Sequence, residues 1–174
     1  MPDPETLSCY KADLEPPVDA FKGAMRRFAS GVGVITAGQG DSRRGLTATA
    51  ISSVTMDPPT ILVCVNRQGE AHQAIEQDGA FCVNILASEA EGVAMDFAGQ
   101  TGRVGTDKFA SFSWSTLATG APALDGALAN IDCEITERVE TASHTVFFGR
   151  VLDVRLSDGA PLIHFDRKFV RLEN

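Results

Sequence analysis

Two long strand-like runs, ALANIDCEITERVE and HTVFFGRVLDVRL, are separated only by the three residues TAS (residues 141–143). A connection that short can join strands only antiparallel, because a parallel return needs a crossover of a dozen or more residues. In the second run Val146, Phe148, Arg150, Leu152 and Val154 share one side, and Thr145, Phe147, Gly149, Val151 and Asp153 share the other. Neither side is purely apolar, which predicts a strand that curves and changes neighbours. Shorter strands are predicted in VGVITAG, from about Gly45 to Val54, and in TILVCVN, AFCVNIL, PLIHF and KFVRL, with MDPP as a turn. Helices are few: one carries Phe21, Ala24, Met25 and Phe28 on one face, one covers GEAHQAIEQDG, and one puts Val93 and Phe97 together. Strands not separated by regular helices fit a doubly wound parallel sheet poorly. The expected class is mainly β, an antiparallel barrel with a few short flanking helices.

A chain of 174 residues makes one domain with a sizeable core. Residues 1–17, rich in Pro, Asp and Glu, read as a flexible N-terminal arm, and residues 18–174 as the domain. The arm has neither the basic start nor the apolar core of a secretory signal, and no run is long enough for a membrane helix, so a cytoplasmic location is expected. The balance of 15 basic against 23 acidic residues, a formal charge of -8, disfavours nucleic acid and anionic membrane as partners. Cys9, Cys64, Cys82 and Cys133 form no CxxC pair and read as free thiols. His72, His144 and His164 stand in no metal-ligand pattern, so no metal is expected.

The stretch RRGLTATAISSVTMDPPTILVCVNR is soft where a core strand is usually bulky. Thr47, Thr49, Ile51 and Ser53 alternate with Ala48, Ala50, Ser52 and Val54, and neither side fills much volume. Composition alone leaves two readings open. A flat ligand lies against the strand, using its amides and hydroxyls, or another segment of the protein packs closely there. Arg43, Arg44 and Arg67 flank the two central strands and suit either a phosphate or solvent. GVGVITAGQG lacks the glycine spacing of a dinucleotide fold and the GK[ST] of a P-loop, and no serine stands in GxSxG.

In order, FKGAMRRFASGVGVITA, GLTATAISSVTMDPPTILVCVNR, HQAI, FCVNIL, DKF, GAPALDGALANIDCEI, SHTVFFGRVLDV and PLIHFDRKFVRL resemble the flavin reductase domain of two-component flavin monooxygenases, from about Val18 to Leu172. The resemblance implies a split β-barrel of Greek-key type, a homodimer, and FMN or FAD in a groove near the subunit interface. NADH or NADPH donates hydride, and reduced flavin passes to a partner monooxygenase. By the same resemblance Thr47, Ala48, Thr49, Ala50, Ser52 and Ser53 lie against the flavin, followed by Asn66 and Arg67. His72 begins a helix on the phosphate side, Phe81, Val83 and Asn84 line the groove, Lys108 and Phe109 form a basic-plus-aromatic loop pair, and His144 meets the nicotinamide.

No protein side chain is assigned as catalytic, because flavin performs the hydride chemistry and the protein supplies geometry and electrostatics. Where many relatives carry a tyrosine, this chain has His164. Two alternatives remain beside a diffusible-flavin reductase: an oxidoreductase with tightly bound flavin acting on another small substrate, and a noncatalytic flavin-binding or redox-sensing module.

Overall fold

The structure, a computed structural model, describes residues 17–172. The predicted arm and Cys9 therefore lie, apart from Pro17, outside the described residues. The chain begins with helix α1 (Val18–Arg26), then strands β1 (Ser30–Gly31), β2 (Gly33–Ala37), β3 (Arg44–Ala48), β4 (Ile51–Met56) and β5 (Pro59–Asn66). Helix α2 (Glu70–Asp78), β6 (Ala80–Ile85) and helix α3 (Glu91–Phe97) follow. A small hairpin, β7 (Trp114–Thr116) and β8 (Pro122–Leu124), precedes the long pair β9 (Ala129–Glu140) and β10 (His144–Leu156). The hairpin β11 (Ile163–Phe165) and β12 (Lys168–Val170) ends the fold.

Seven strands form one antiparallel sheet in the order β3-β2-β6-β9-β10-β5-β4. Its two edge strands, β3 and β4, are consecutive in the chain and only Thr49 and Ala50 separate them. Residues 48 and 51 stand at most about 11 Å apart along an extended chain, so the sheet curls until its edges meet. Here the prediction of one strand from Gly45 to Val54 needs correction. The backbone leaves its ladder with β2 after Ala48 and joins a ladder with β5 from Ile51. A hydrogen bond from Cys64 N–H to the Ala50 carbonyl, 3.1 Å, marks the crossing. Among the described residues no ladder joins β3 to β5 beyond that point, so the curled sheet has a seam.

The interior of the curl is the main core. Ile35 of β2, Val63 and Val65 of β5, Phe81 and Val83 of β6 and Phe147 of β10 meet there beneath Ala74 and Ile75 of α2. A second core lies outside β2, where Val32 and Val34 pack against Val93, Ala94 and Phe97 of α3, with Phe109 and Leu124. β2 and β6 are thus covered on both faces, which explains their nearly continuous burial. On β10 register shifts at Phe148/Gly149 and Val151/Asp153 let the strand bend, matching its mixed sides. Gly149 sits inside the bend: a Cβ there would lie 2.5 Å from Phe81 Cζ and 2.7 Å from Cys133 Cβ.

Behind β6 a polar network fastens the β7–β8 hairpin to the sheet. Asn84 donates to the Val34 carbonyl at 2.9 Å and to Thr36 Oγ1 at 3.0 Å. Its Oδ1 accepts from Leu124 N–H and from Asn130 Nδ2, both at 2.7 Å. The buried Asp132 accepts from the Thr119 N–H at 2.6 Å and its hydroxyl at 2.7 Å. Asn84→Ala orphans donors on Leu124 and Asn130, so a loss of about 2–4 kcal/mol is expected in urea denaturation without flavin. A change within about 0.5 kcal/mol would show that Asn84 is not a structural hub.

Burial, and then the Asp132 carboxylate, push the Cys133 thiol up to about 12 and the Cys82 thiol higher still. At about pH 8 both remain protonated thiols, whereas a free cysteine is partly thiolate. Peptide mapping after iodoacetamide treatment should find Cys82 and Cys133 unmodified in folded protein and modified after denaturation. Equal labelling in both states would contradict this core.

Candidate functional site

The seam opens into a cavity of about 350 Å³. One wall is β3, at Gly45 and Leu46, and the other is β5, at Val65 and Asn66. The start of α2, from Gly69 to Ala71, closes one end, and Val104 and Lys108 close another. Both strand walls are free of a partner across the seam, so they offer backbone groups to a ligand. At α2, Gly69 caps the helix with no side-chain hydrogen bond, leaving first-turn N–H groups for an anion. Arg44 stands beside this end, 3.6 Å from Glu70.

Small residues on β3 have specific causes. A Cβ on Gly45 would lie 2.7 Å from the Phe97 ring and 3.0 Å from the Ile35 carbonyl. The Thr47 hydroxyl donates to the Ala94 carbonyl at 2.7 Å, tying β3 to α3. The soft strand therefore combines both readings of its composition: protein packs against it from α3, and space remains along it. A second cavity, about 180 Å³, lies at Thr47, Ala48 and Thr49, with Gln100, His164 and Phe169 opposite.

The fifteen predicted residues divide into four settings. Asn66 and Lys108 line the seam cavity, and Thr47, Ala48 and Thr49 the second. Asn66 accepts from Gln68 N–H at 3.0 Å, which leaves its side-chain NH₂ available. Ala50, Ser52, Ser53, Arg67 and His144 are exposed beside the crossing or at the open end of β5 and β10. Arg67 pairs with Glu140 at 3.2 Å and donates to the Thr141 carbonyl at 3.4 Å. His144 stands opposite Asn66 across the ladder, its Nδ1 2.9 Å from Ser143 Oγ.

The remaining five are interior in the structure: Phe81, Val83 and Asn84, expected along the groove, His72, expected on the phosphate side, and Phe109, expected beside Lys108 in a loop. Phe81, Val83 and Asn84 have no exposed surface, because β6 is central in the sheet and covered on both faces. His72 faces inward from α2, with Nε2 2.8 Å from Thr145 Oγ1 and Nδ1 3.6 Å from Glu76. Phe109 is buried among Phe97 and Trp114, and the Arg43 guanidinium stacks 4.9 Å from its ring centre. Residues that sequence reasoning missed, Leu46, Val65, Gly69 and Val104, carry no chemical signature. Only the meeting of β3, β5 and α2 brings them together.

Among the described residues no helix is long and apolar enough to cross a membrane. The flavin reductase like domain model matches residues 25–173. The reductase component of 4-hydroxyphenylacetate 3-monooxygenase from Pseudomonas aeruginosa is 40% identical over 163 residues, covering 93% of this chain and 96% of that protein. The FMN reductase (NADH) RutF of Serratia proteamaculans is 41% identical over 150 residues, covering 86% and 85%. The NADH:FAD oxidoreductase SgcE6 of Streptomyces globisporus, solved in complex with NAD and FAD fragments, superposes with a TM-score of 0.82 at 30% identity, covering 93% and 98%. A seam-bearing β fold and a family match spanning nearly the whole chain agree, and the chain belongs to the flavin reductase like domain family.

Proposed function

We propose that this protein is a flavin reductase that takes hydride from NADH or NADPH onto FMN or FAD and supplies reduced flavin to a partner monooxygenase. The observation that carries the reading is the seam cavity between β3 and β5, capped by the N-terminus of α2 and by Lys108. At about 350 Å³ it falls in the range of small-molecule sites. The fold reads as a split barrel of Greek-key type, with the seam as its split. The names of relatives support flavin and NADH; whether FMN or FAD is preferred follows from activity.

Bound flavin supplies the hydride-accepting chemistry; the protein's own groups orient and stabilise. The free edge of β3 offers N–H donors where negative charge develops, and fixed donors lower the cost of that charge. Lys108 and the first-turn amides of α2 hold a phosphate. Asn66 donates its NH₂ to ring or ribityl oxygens. His144, opposite Asn66 and exposed, meets the nicotinamide at the open end of the seam. Ser52 and Ser53 extend this wall past the crossing.

A homodimer fits the exposed apolar residues at one end of the sheet. Val54 and Met56 of β4 and Leu152, Val154 and Leu156 of β10 are each at least 40% exposed, and a second copy is the occupant that would cover them. A cytoplasmic location accords with a supply of NADH.

Steady-state assays crossing FMN and FAD with NADH and NADPH test the reading. The expected result is many turnovers of free flavin per protein. Tight flavin with another small substrate reduced instead points to the alternative oxidoreductase, and bound flavin with no turnover points to a sensing module. Loss of Arg67 as a phosphate contact should raise the flavin dissociation constant about 3- to 10-fold in Arg67→Ala. An unchanged constant, measured by fluorescence quenching, confines Arg67 to its pairing with Glu140.

A further inference from the structure

The seam cavity holds a charge of the same sign as the phosphate proposed for it. Of its lining residues only Glu70 and Lys108 are charged, and they are opposite in sign. Glu70 is the first residue of α2, directly after Gly69, so its carboxylate stands where the helix amides attract an anion. The side chain is 64% exposed and meets Arg44 with Nε 3.6 Å from Oε2, beyond hydrogen-bond reach. Among the described residues no other cation lies within ion-pair distance of it.

Arg44 is held far more firmly. Its side chain is half as exposed, and Nη1 donates to the Asp41 carbonyl at 2.8 Å and to the Arg43 carbonyl at 2.7 Å. Its guanidinium carbon lies 3.9 Å from where a Cβ on Gly105 would stand, against the helical turn Gly105–Phe109 that carries Lys108. These contacts leave Nε and Nη2, the edge by which a guanidinium meets an oxyanion bidentately. A fixed guanidinium beside a helix start thus faces a loosely held carboxylate. The carboxylate is the exchangeable member of the pair.

We propose that Glu70 is a built-in competitor of the flavin phosphate for Arg44 and thereby keeps the flavin releasable. The proposal rests on the flavin reductase reading and adds to it a residue that sets how long the flavin stays. Binding is an exchange: the phosphate takes the Nε–Nη2 edge of Arg44 together with the first-turn amides, and Glu70 swings into solvent. Departure is the reverse, with the carboxylate returning to the guanidinium as the phosphate leaves. The gain on binding is then the difference between two ion pairs rather than the whole of one. Such a site suits a flavin that is handed on to another protein.

Riboflavin, the same ring and ribityl chain without the phosphate, isolates this role. Glu70→Gln keeps the length and polarity of the side chain and removes its charge. In that variant the FMN dissociation constant, read by fluorescence quenching, falls about 3- to 10-fold, and stopped-flow displacement shows slower FMN release. The riboflavin constant changes by less than about 2-fold. In an Arg44→Gln background the same Glu70→Gln substitution no longer tightens FMN, because the partner they compete for is gone. FMN affinity that is unchanged or weaker in Glu70→Gln overturns the proposal. So does a gain shared equally by riboflavin, since the phosphate then plays no part, and so does a gain that persists in full without Arg44. Wild type that binds neither FMN nor riboflavin sinks the underlying reductase reading, and this proposal with it.

Discussion

The structure depends on the two-residue connection between β3 and β4. These strands occupy opposite edges of a seven-stranded sheet, yet only Thr49 and Ala50 lie between them. Chain continuity therefore forces the sheet to curl, and the curl creates an interior that one layer of strands can enclose. The two edges touch at the Ala50–Cys64 hydrogen bond and then diverge. Divergence leaves the facing edges of β3 and β5 without ladder partners across the seam, next to the start of α2. The proposed ligand site arises from the way the sheet fails to close, and few side chains are dedicated to it.

This origin explains why the soft strand is soft. Gly45 has no room for a side chain against Phe97, and Thr47 engages the Ala94 carbonyl with its hydroxyl. Bulk on β3 would collide with α3 on one side or fill the seam on the other. β6 shows the opposite case. It is sandwiched between the interior of the curl and the β7–β8 hairpin, so its FCVN segment is all core and network. Residues close to one another in sequence logic are thus separated by topology into wall and foundation.

Much of the fold was legible because it is written in periodicity and connection length. The short TAS link fixed the antiparallel β9–β10 pair, and the mixed sides of β10 pointed to a curved strand, in which the structure has two register shifts. The break at Thr49–Ala50 was not legible, since alternation continues through it and only the sheet order reveals the crossing. At the site, the family resemblance pointed to Asn66, Lys108 and Thr47–Thr49, which do line cavities. It also pointed to His72, Phe81, Val83, Asn84 and Phe109, which lie inside. A motif marks positions near a site without saying which way each side chain faces. For His72 the deciding partner, Thr145, is 73 residues away.

The central claim is that flavin occupies the seam between β3 and β5. Amide hydrogen exchange followed by mass spectrometry, with and without saturating FMN, tests it most directly. Flavin should slow exchange in peptides covering Arg44–Thr49 and Val65–Ala71, the two free edges and the first turn of α2. Protection confined to other regions, such as α3 and the Phe112 loop, with the seam peptides unchanged, would contradict it.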